Sequence, residues 1–409
     1  MAGFVETLTP REKALVHVAK TLDFPWEFSA RTVISSSNSG RLLYPLIAAE
    51  DYPPFMRSTR DGFAVASSDC LGAAPGSPAY LSLAGEVPMG AAPAFSISPG
   101  QCAIIHTGGI LPEGADGVVM MEDTERAGNW IEIKNAVQKA ENTVLPGEEF
   151  SKGDPILTAG RRIDFRTAGL FAMAGATQTA SPALKIGVIS TGDEIEPPET
   201  KKLSAGKFRD VNAFLLLSLL DREGYKATYY GIAEDTRANL SDLTKKAMEE
   251  CDVVVISGGS SVSMRDYSAS ILEDLPEPGL LVRGILMSPG KPTLIAGAKK
   301  ENKLVLGLPG HPFSCFVSAF TVLLPLLHGM IWGEIKGPWK AIKTSLTEPV
   351  FGIAGIEEFI PCVIKEGRAI PRPVKSSFSK ALADADGLFH IPASMETLRP
   401  GEEAEIWLW

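Results

Sequence analysis

The sequence is poor in the residues that build disulfide frameworks and soft-metal sites. Its five cysteines (Cys70, Cys102, Cys251, Cys315, Cys362) are odd in number, far apart and never in a C-x-x-C. That argues against a disulfide scaffold or a zinc knuckle and fits a reducing compartment. The five histidines (His17, His106, His311, His328, His390) show no H-x-x-H or H-E-x-x-H spacing, which disfavours a zinc hydrolase. Positive charge is short as well: 39 Lys and Arg against 49 Asp and Glu leave a net charge of −10, the wrong sign for an unspecific grip on nucleic acid or anionic lipid. The longest apolar run, Phe316 to Trp332, is interrupted by Pro325 and His328 and reads as a buried helix, not a membrane span. The first residues have neither a basic start before an apolar core nor an Arg- and Ser-rich amphipathic pattern, so the cytoplasm is the expected location. No G-x-G-x-x-G opens a helix after the first α/β strand, so a dinucleotide oxidoreductase would lack its pyrophosphate turn.

What is present is the composition of a folded chain: 45% hydrophobic and 22% charged residues in 409, enough for roughly two to four domains. Thr9-Pro10-Arg11-Glu12 predicts a capped helix to about Thr21, with Thr9 as the cap and Pro10 at the first helical position. From residue 41 to 142 the text turns to short β-like runs separated by Gly and Pro (62–66, 79–84, 101–106, 117–121 and 130–134), a mostly β insertion. Residues 143–182 return to the segment that residues 1–40 began. Residues 183–333 alternate strands (184–190, 227–231, 252–256, 280–287, 293–296, 303–306) with helices (211–223, 237–250, 267–274, 312–330), the pattern of a doubly wound α/β domain. Residues 334–409 form a small C-terminal β domain. The fold class is therefore α/β plus β, in several domains.

Four glycine-containing loops each follow a predicted strand: Ser190-Thr191-Gly192-Asp193-Glu194, Ser257-Gly258-Gly259-Ser260-Ser261, Ser288-Pro289-Gly290-Lys291-Pro292 and Leu308-Pro309-Gly310-His311-Pro312. Loops leaving the carboxyl ends of strands in an open sheet share one crevice, so these four are expected to form one site. Ser257 to Ser261 offers backbone N–H groups and hydroxyls to a phosphate, although Gly-Gly-Ser is also an ordinary turn. Asp193, Glu194, Asp235 and Asp266 lie on the same rim and suit Mg2+, which binds through one or two carboxylates and substrate phosphates. Asp235 and Asp266 can equally be helix caps, with Asp266 expected inside a polar loop. Lys291 is a rigidly presented cation for an oxyanion or phosphate, or a solvated lysine on a turn.

Together the loops resemble the molybdopterin molybdenumtransferases, the family of MoeA and the gephyrin E domain. The resemblance spans nearly the whole chain. Ser58-Thr59-Arg60-Asp61-Gly62-Phe63-Ala64 is similar to the family's S-x-M-D-G-Y-A, and His106-Thr107-Gly108 to Pro112-Glu113-Gly114-Ala115-Asp116 is similar to its M-T-G-A-x-x-P-x-G-A-D. Thr191-Gly192-Asp193-Glu194, Asp210-Val211-Asn212, Ser257-Gly258-Gly259 with Ser261 and Asp266, Pro289-Gly290-Lys291-Pro292, and Gly307-Leu308-Pro309-Gly310 with Pro312 and Ser314 follow in the same order. The resemblance implies insertion of molybdate or tungstate into adenylylated molybdopterin with release of AMP, assisted by Mg2+. It further implies an elongated homodimer in which residues 1–40 and 143–182 are the linker and dimerisation domain, with a molybdopterin adenylyltransferase and apo-molybdoenzymes as partners. It carries functional roles to Asp61, Thr107, Glu194, Asp235, Asp266 and Lys291, with Asp235, Asp266 and Glu194 at the metal. The pterin nucleotide falls to the loop residues above, together with His311, Ser376, Ser377 and Arg60.

The chain departs from the family where the oxyanion is held. The first lysine of K-P-G-K-P is Ser288, and the arginine of the C-terminal G-R-x-E-F is Ile356. Two of three cations are gone, each worth charge-assisted hydrogen bonds of roughly 1.5–3 kcal/mol. The glycine ending G-G-x-S-x-G is Ser263, the asparagine of L-P-G-N-P is His311, and the methionine before Asp61 is Arg60. Arg60, with His311 or Arg265, is the expected replacement for the lost charge. The alternative is a pterin-nucleotide carrier or scaffold that keeps the crevice without the chemistry.

Overall fold

The computed structural model describes residues 8–35, 40–258 and 262–409, with the backbone alone over residues 262–266. The chain forms two compact units. One runs to Leu43 and takes in Arg162–Asp164 and Gln178–Trp409; the other is Tyr44–Arg161 with Phe165–Thr177.

In the first unit a six-stranded sheet has the order Lys226–Ala233, Lys185–Thr191, Val253–Gly258, Lys303–Leu308, Leu294–Ala298, Pro278–Arg283. The first four strands are parallel, and Leu294–Ala298 runs antiparallel to both of its neighbours, so the doubly wound pattern holds with one reversed strand. The middles of the central strands are apolar on both sides because both faces are covered. Val253 and Val255 pack with Leu216 and Leu220 of the helix Asn212–Arg222 on one side. Val254 and Ile256 pack with Leu240 and Ala247 of the helix Arg237–Glu250 on the other. The expected strand from Leu280 to Met287 is two elements. Gly284, at φ 90°, ends the first, and Met287–Ser288 pairs with Glu357–Glu358 in a different sheet. That second sheet, Met287–Ser288, Glu357–Lys365, Gly387–Ile391, Glu403–Leu408, Lys340–Ser345, makes the C-terminal β region, with Arg368–Pro371 paired to Glu357–Lys365.

Two helices differ from expectation for local reasons. Thr9 does not cap the first one: its N–H donates to the Gly284 carbonyl and its carbonyl accepts from Leu286 N–H. This strand-like pairing leaves Pro10 as the N-cap of Arg11–Thr21, with no side-chain cap. Pro312 to Trp332 is continuous, but Ala319–Leu323 is wound as a π-helix just ahead of Pro325. Proline lacks an N–H and crowds the preceding turn, and the wider winding makes room for it. This helix is long and apolar enough to cross a membrane, yet 94% of its apolar window is buried inside the fold, as a core helix is.

In the second unit a six-stranded sheet has the order Gly117–Met120, Gly62–Val65, Gln101–Ile105, Ala79–Glu86, Trp130–Ile133, Thr124–Ala127. Phe63, Val65, Cys102, Val119 and Ile131 fill one face, and Ala64, Ala103, Ile105 and Val118 the other.

Candidate functional site

The strand Lys185–Thr191 has Lys226–Ala233 on one side and Val253–Gly258 on the other, all three parallel. Strand order therefore reverses between Lys185–Thr191 and Val253–Gly258, and a crevice opens beyond their carboxyl ends. There Thr191 and Gly258 face each other in register. Gly258 is at φ 139°, and a Cβ on it would stand 2.0 Å from the Thr191 carbonyl oxygen, so the two backbones can approach only because this residue is glycine.

A cavity of about 320 Å³ occupies the crevice, and Thr191, Glu194, Ser257, Gly258, Gly310, His311, Pro312 and Ser377 are among its lining. An adjoining cavity of about 220 Å³ shares Gly258, Gly310 and His311 and adds Pro292, Pro309 and Ser314. The first, second and fourth loops thus converge as expected. The third touches only the smaller cavity, through Pro292, while Ser288 and Pro289 line a separate cavity of about 280 Å³ with Glu358 and Ser376. Lys291 is half-buried and lines none of the three; its turn is closed by Gly290, whose carbonyl accepts from the Thr293 N–H and hydroxyl. Gly192, at φ 146°, turns the first loop.

Asp235 is released from capping. Thr236 caps the helix Arg237–Glu250 by accepting from Asn239 N–H. Asp235 instead donates its backbone N–H to Asp193 Oδ1 at 3.0 Å and accepts the Thr191 hydroxyl at 3.3 Å. Burial, with the like charges of Asp193 and Glu194, raises the Asp235 pKa, and hydrogen bonds from the Asp193 backbone and Thr191 offset only part of this. A carboxylate pressed by like charges is suited to a hard cation. Among the described residues no three His, Cys, Asp or Glu side chains close around a metal. Asp266 sits not in a loop but on the helix Val262–Glu273, which begins five residues before the expected Tyr267. Its side chain, like that of Arg265, and the residues Gly259 and Ser261 lie outside the described residues.

Several lining residues lay outside the expected site: Phe208, Arg209, Asp210, Asn212 and Ser379. The Asp210-Val211-Asn212 triplet at the head of a helix was the available signal. Asp210 accepts from Ala213 N–H at 3.1 Å and from the Tyr229 hydroxyl at 2.7 Å, which anchors that helix start. Phe208-Arg209 carries no sequence signal of its own. Ser376 Oγ is 2.8 Å from His311 Nδ1, which ties the fourth loop to the C-terminal region.

Among the described residues no Lys, Arg or His lines the cavity beside Ser288. The one charged group among those described is Glu358, whose pKa burial raises although the Ile353 N–H and the Ser288 hydroxyl donate to it. Half-buried Ile356 supplies no cation here.

In the second unit Asp61 precedes the strand Gly62–Val65 and His106-Thr107 follows the strand Gln101–Ile105. Gly62 pairs with Ile105, so the three side chains meet at one strand end. Thr107 N–H donates to Asp61 Oδ1 at 2.7 Å, and this bond, with the Thr107 hydroxyl and the His106 charge, lowers the Asp61 pKa. His106 stands between two carboxylates, its Nδ1 3.7 Å from Asp61 and its Nε2 3.3 Å from Glu86. Arg60 is exposed on a turn held by Ser58, whose hydroxyl accepts from Arg60 N–H and donates to its carbonyl.

Residues 10–175 match the family model of the MoeA N-terminal region (domain I and II), residues 187–329 that of a probable molybdopterin binding domain, and residues 343–409 that of the MoeA C-terminal region (domain IV). The chain is 30% identical over 307 residues to a molybdopterin molybdenumtransferase from a Nostoc species, covering 74% of this chain and 70% of that protein. It is 29% identical over 382 residues to the one from Bacillus subtilis, covering 90% and 87%. Among solved structures it is similar to a molybdopterin biosynthesis MoeA protein from Pyrococcus horikoshii at 34% identity and a TM-score of 0.78, covering 98% of this chain and 99% of that one. A second MoeA structure from the same organism gives 25% identity and a TM-score of 0.84, over 98% and 100%.

Proposed function

The chain belongs to the molybdopterin molybdenumtransferase family, transferases of molybdenum cofactor biosynthesis, and from that premise we propose that it inserts molybdate or tungstate into adenylylated molybdopterin and releases AMP. The observation that carries this reading is the convergence of three glycine loops on the crevice between Thr191 and Gly258. Ser257, Gly258 and the start of the helix at Pro312 suit a phosphate there. Asp235, with Glu194 and Asp266, is proposed to hold Mg2+, which when bound would neutralise phosphate charge as AMP leaves. Asp61, held ionised by Thr107, is proposed as a further functional carboxylate. A homodimer, a cytoplasmic location, the four-domain division, and the adenylyltransferase and apo-molybdoenzymes as partners belong to the same proposal.

The test is AMP release from adenylylated molybdopterin with Mg2+, with and without molybdate or tungstate. Release is expected to depend on the oxyanion and to fall at least about a hundredfold in Asp266→Ala, the scale of losing a preorganised electrostatic group. A cavity beside Ser288 that no Lys, Arg or His among the described residues lines favours a second reading, a carrier without chemistry. Tight binding of the adenylylated pterin with no AMP release under either oxyanion would establish it.

Arg60 is proposed to supply charge for the oxyanion. Arg60→Met is expected to weaken tungstate binding by about tenfold, the worth of one charge-assisted contact, in calorimetry with tungstate and the AMP-charged protein. Unchanged affinity would remove Arg60 from the site.

A further inference from the structure

Asn212 opens the helix Asn212–Arg222 and forms part of the wall of the 320 Å³ cavity. It is only 8% exposed. One contact tells the two ends of its amide apart: Nδ2 donates to the Gly310 carbonyl at 2.8 Å, and only the NH2 end of an amide can donate to a carbonyl. Oδ1 is therefore the free end, and it is buried with no hydrogen-bond partner among the described residues. A buried acceptor without a donor is rare in folded proteins and calls for a cause. The fold does not supply one, because Asp210 already takes the Ala213 N–H at this helix start.

The same cavity has an apolar side. Phe208 is 63% exposed and Val211 40%, and both line it. An exposed phenyl face is a stacking platform for a flat ring. A stacking face and an unpaired acceptor in one cavity complement a planar heterocycle that carries an amino group.

We infer that Asn212 Oδ1 accepts the exocyclic amino group of an amino-substituted fused pyrimidine, adenine or pterin, lying against Phe208. The oxygen stands behind the cavity wall, and the ring's amino group reaches it when the amide turns about its bond to Gly310. Asn212 is then a specificity-determining residue, because a ring without the amino group leaves the acceptor buried and unpaired. The inference rests on the reading that the crevice holds an adenylylated pterin.

The experiment is calorimetry on the full chain with two probe pairs: AMP against purine riboside 5′-monophosphate, and 6-hydroxymethylpterin against its 2-desamino analogue. In one pair the member lacking the amino group is expected to bind about tenfold more weakly, and the pair affected identifies the ring. In Asn212→Leu the two members of that pair are expected to bind alike, and Phe208→Ala is expected to weaken both. Equal binding within both pairs by the unaltered protein, a comparison that needs no variant to fold, would overturn the inference and leave the crevice reading intact. So would discrimination that survives in Asn212→Leu. Failure of all four probes to bind would overturn the crevice reading, and the inference with it.

Discussion

Arg11→Ala is expected to remove about 3–5 kcal/mol of stability, the scale of a buried ion pair broken from one side. Arg11 is 6% exposed and bidentate to Glu357, with Nε to Oε2 and NH2 to Oε1 both at 2.8 Å. Its guanidinium also lies 5.2 Å from the centre of the Trp407 ring and 5.9 Å from that of Phe359. Glu357 Oε1 is in turn 2.7 Å from His390 Nε2. The pair joins the first helix to the C-terminal sheet, and removing the cation leaves a carboxylate buried among aromatic rings. Burial alone would push the Glu357 pKa up, but the hydrogen bonds and charges of His390 and Arg11 outweigh it and hold it below the ordinary range. A depressed carboxylate contributes stability that is complete above its unfolded value, about 4.3, and is lost as pH falls through the folded value. The gap between wild type and Arg11→Ala is therefore expected to be widest near pH 7 and to narrow on acidification through that window. Urea unfolding followed by tryptophan fluorescence at several pH values would measure it. A loss under about 1 kcal/mol at pH 7, the range of an exposed pair, would mean the pair is not shielded from water.

This pair was not legible in the sequence, because its partners are separated by 346 positions and nothing local links one to the other. What was legible is what local pattern dictates. Residues 253–256 are a continuous apolar run because both faces of their strand are covered, and the helix predicted over 237–250 forms over those residues. The misreadings occur where tertiary pairing overrode local preference. Thr9 gave its backbone to Gly284 and Leu286 instead of capping, and Met287–Ser288 left the α/β sheet to pair with Glu357–Glu358. The glycine loops pointed to the crevice, but which loop reaches which cavity depends on strand order, so the separation of Lys291 and Ser288 from Thr191 appeared only in three dimensions. The unpaired oxygen of Asn212 likewise depends on where Gly310 stands.

Gly258→Ala is expected to cost about 3 kcal/mol or more of stability, combining backbone strain with a steric clash, and to weaken AMP binding at least about a hundredfold. Two effects add. At φ 139° any side chain is strained, by about 1–3 kcal/mol. The new Cβ would also stand 2.0 Å from the Thr191 carbonyl oxygen and 2.8 Å from its Cγ2. A backbone oxygen in a paired strand cannot step aside without parting Lys185–Thr191 from Val253–Gly258 at the point where strand order reverses. The crevice floor is built from those two strand ends, so binding and stability should fall together. Gly231 separates the two effects, since its φ is 102° but a methyl group added there would have nothing within 4 Å. Gly231→Ala should therefore show the conformational penalty alone, about 1–2 kcal/mol, with AMP affinity unchanged. Thermal unfolding and AMP calorimetry on both variants decide the matter. If Gly258→Ala is no worse than Gly231→Ala on both measures, the close approach of Thr191 to Gly258 is not what shapes the crevice.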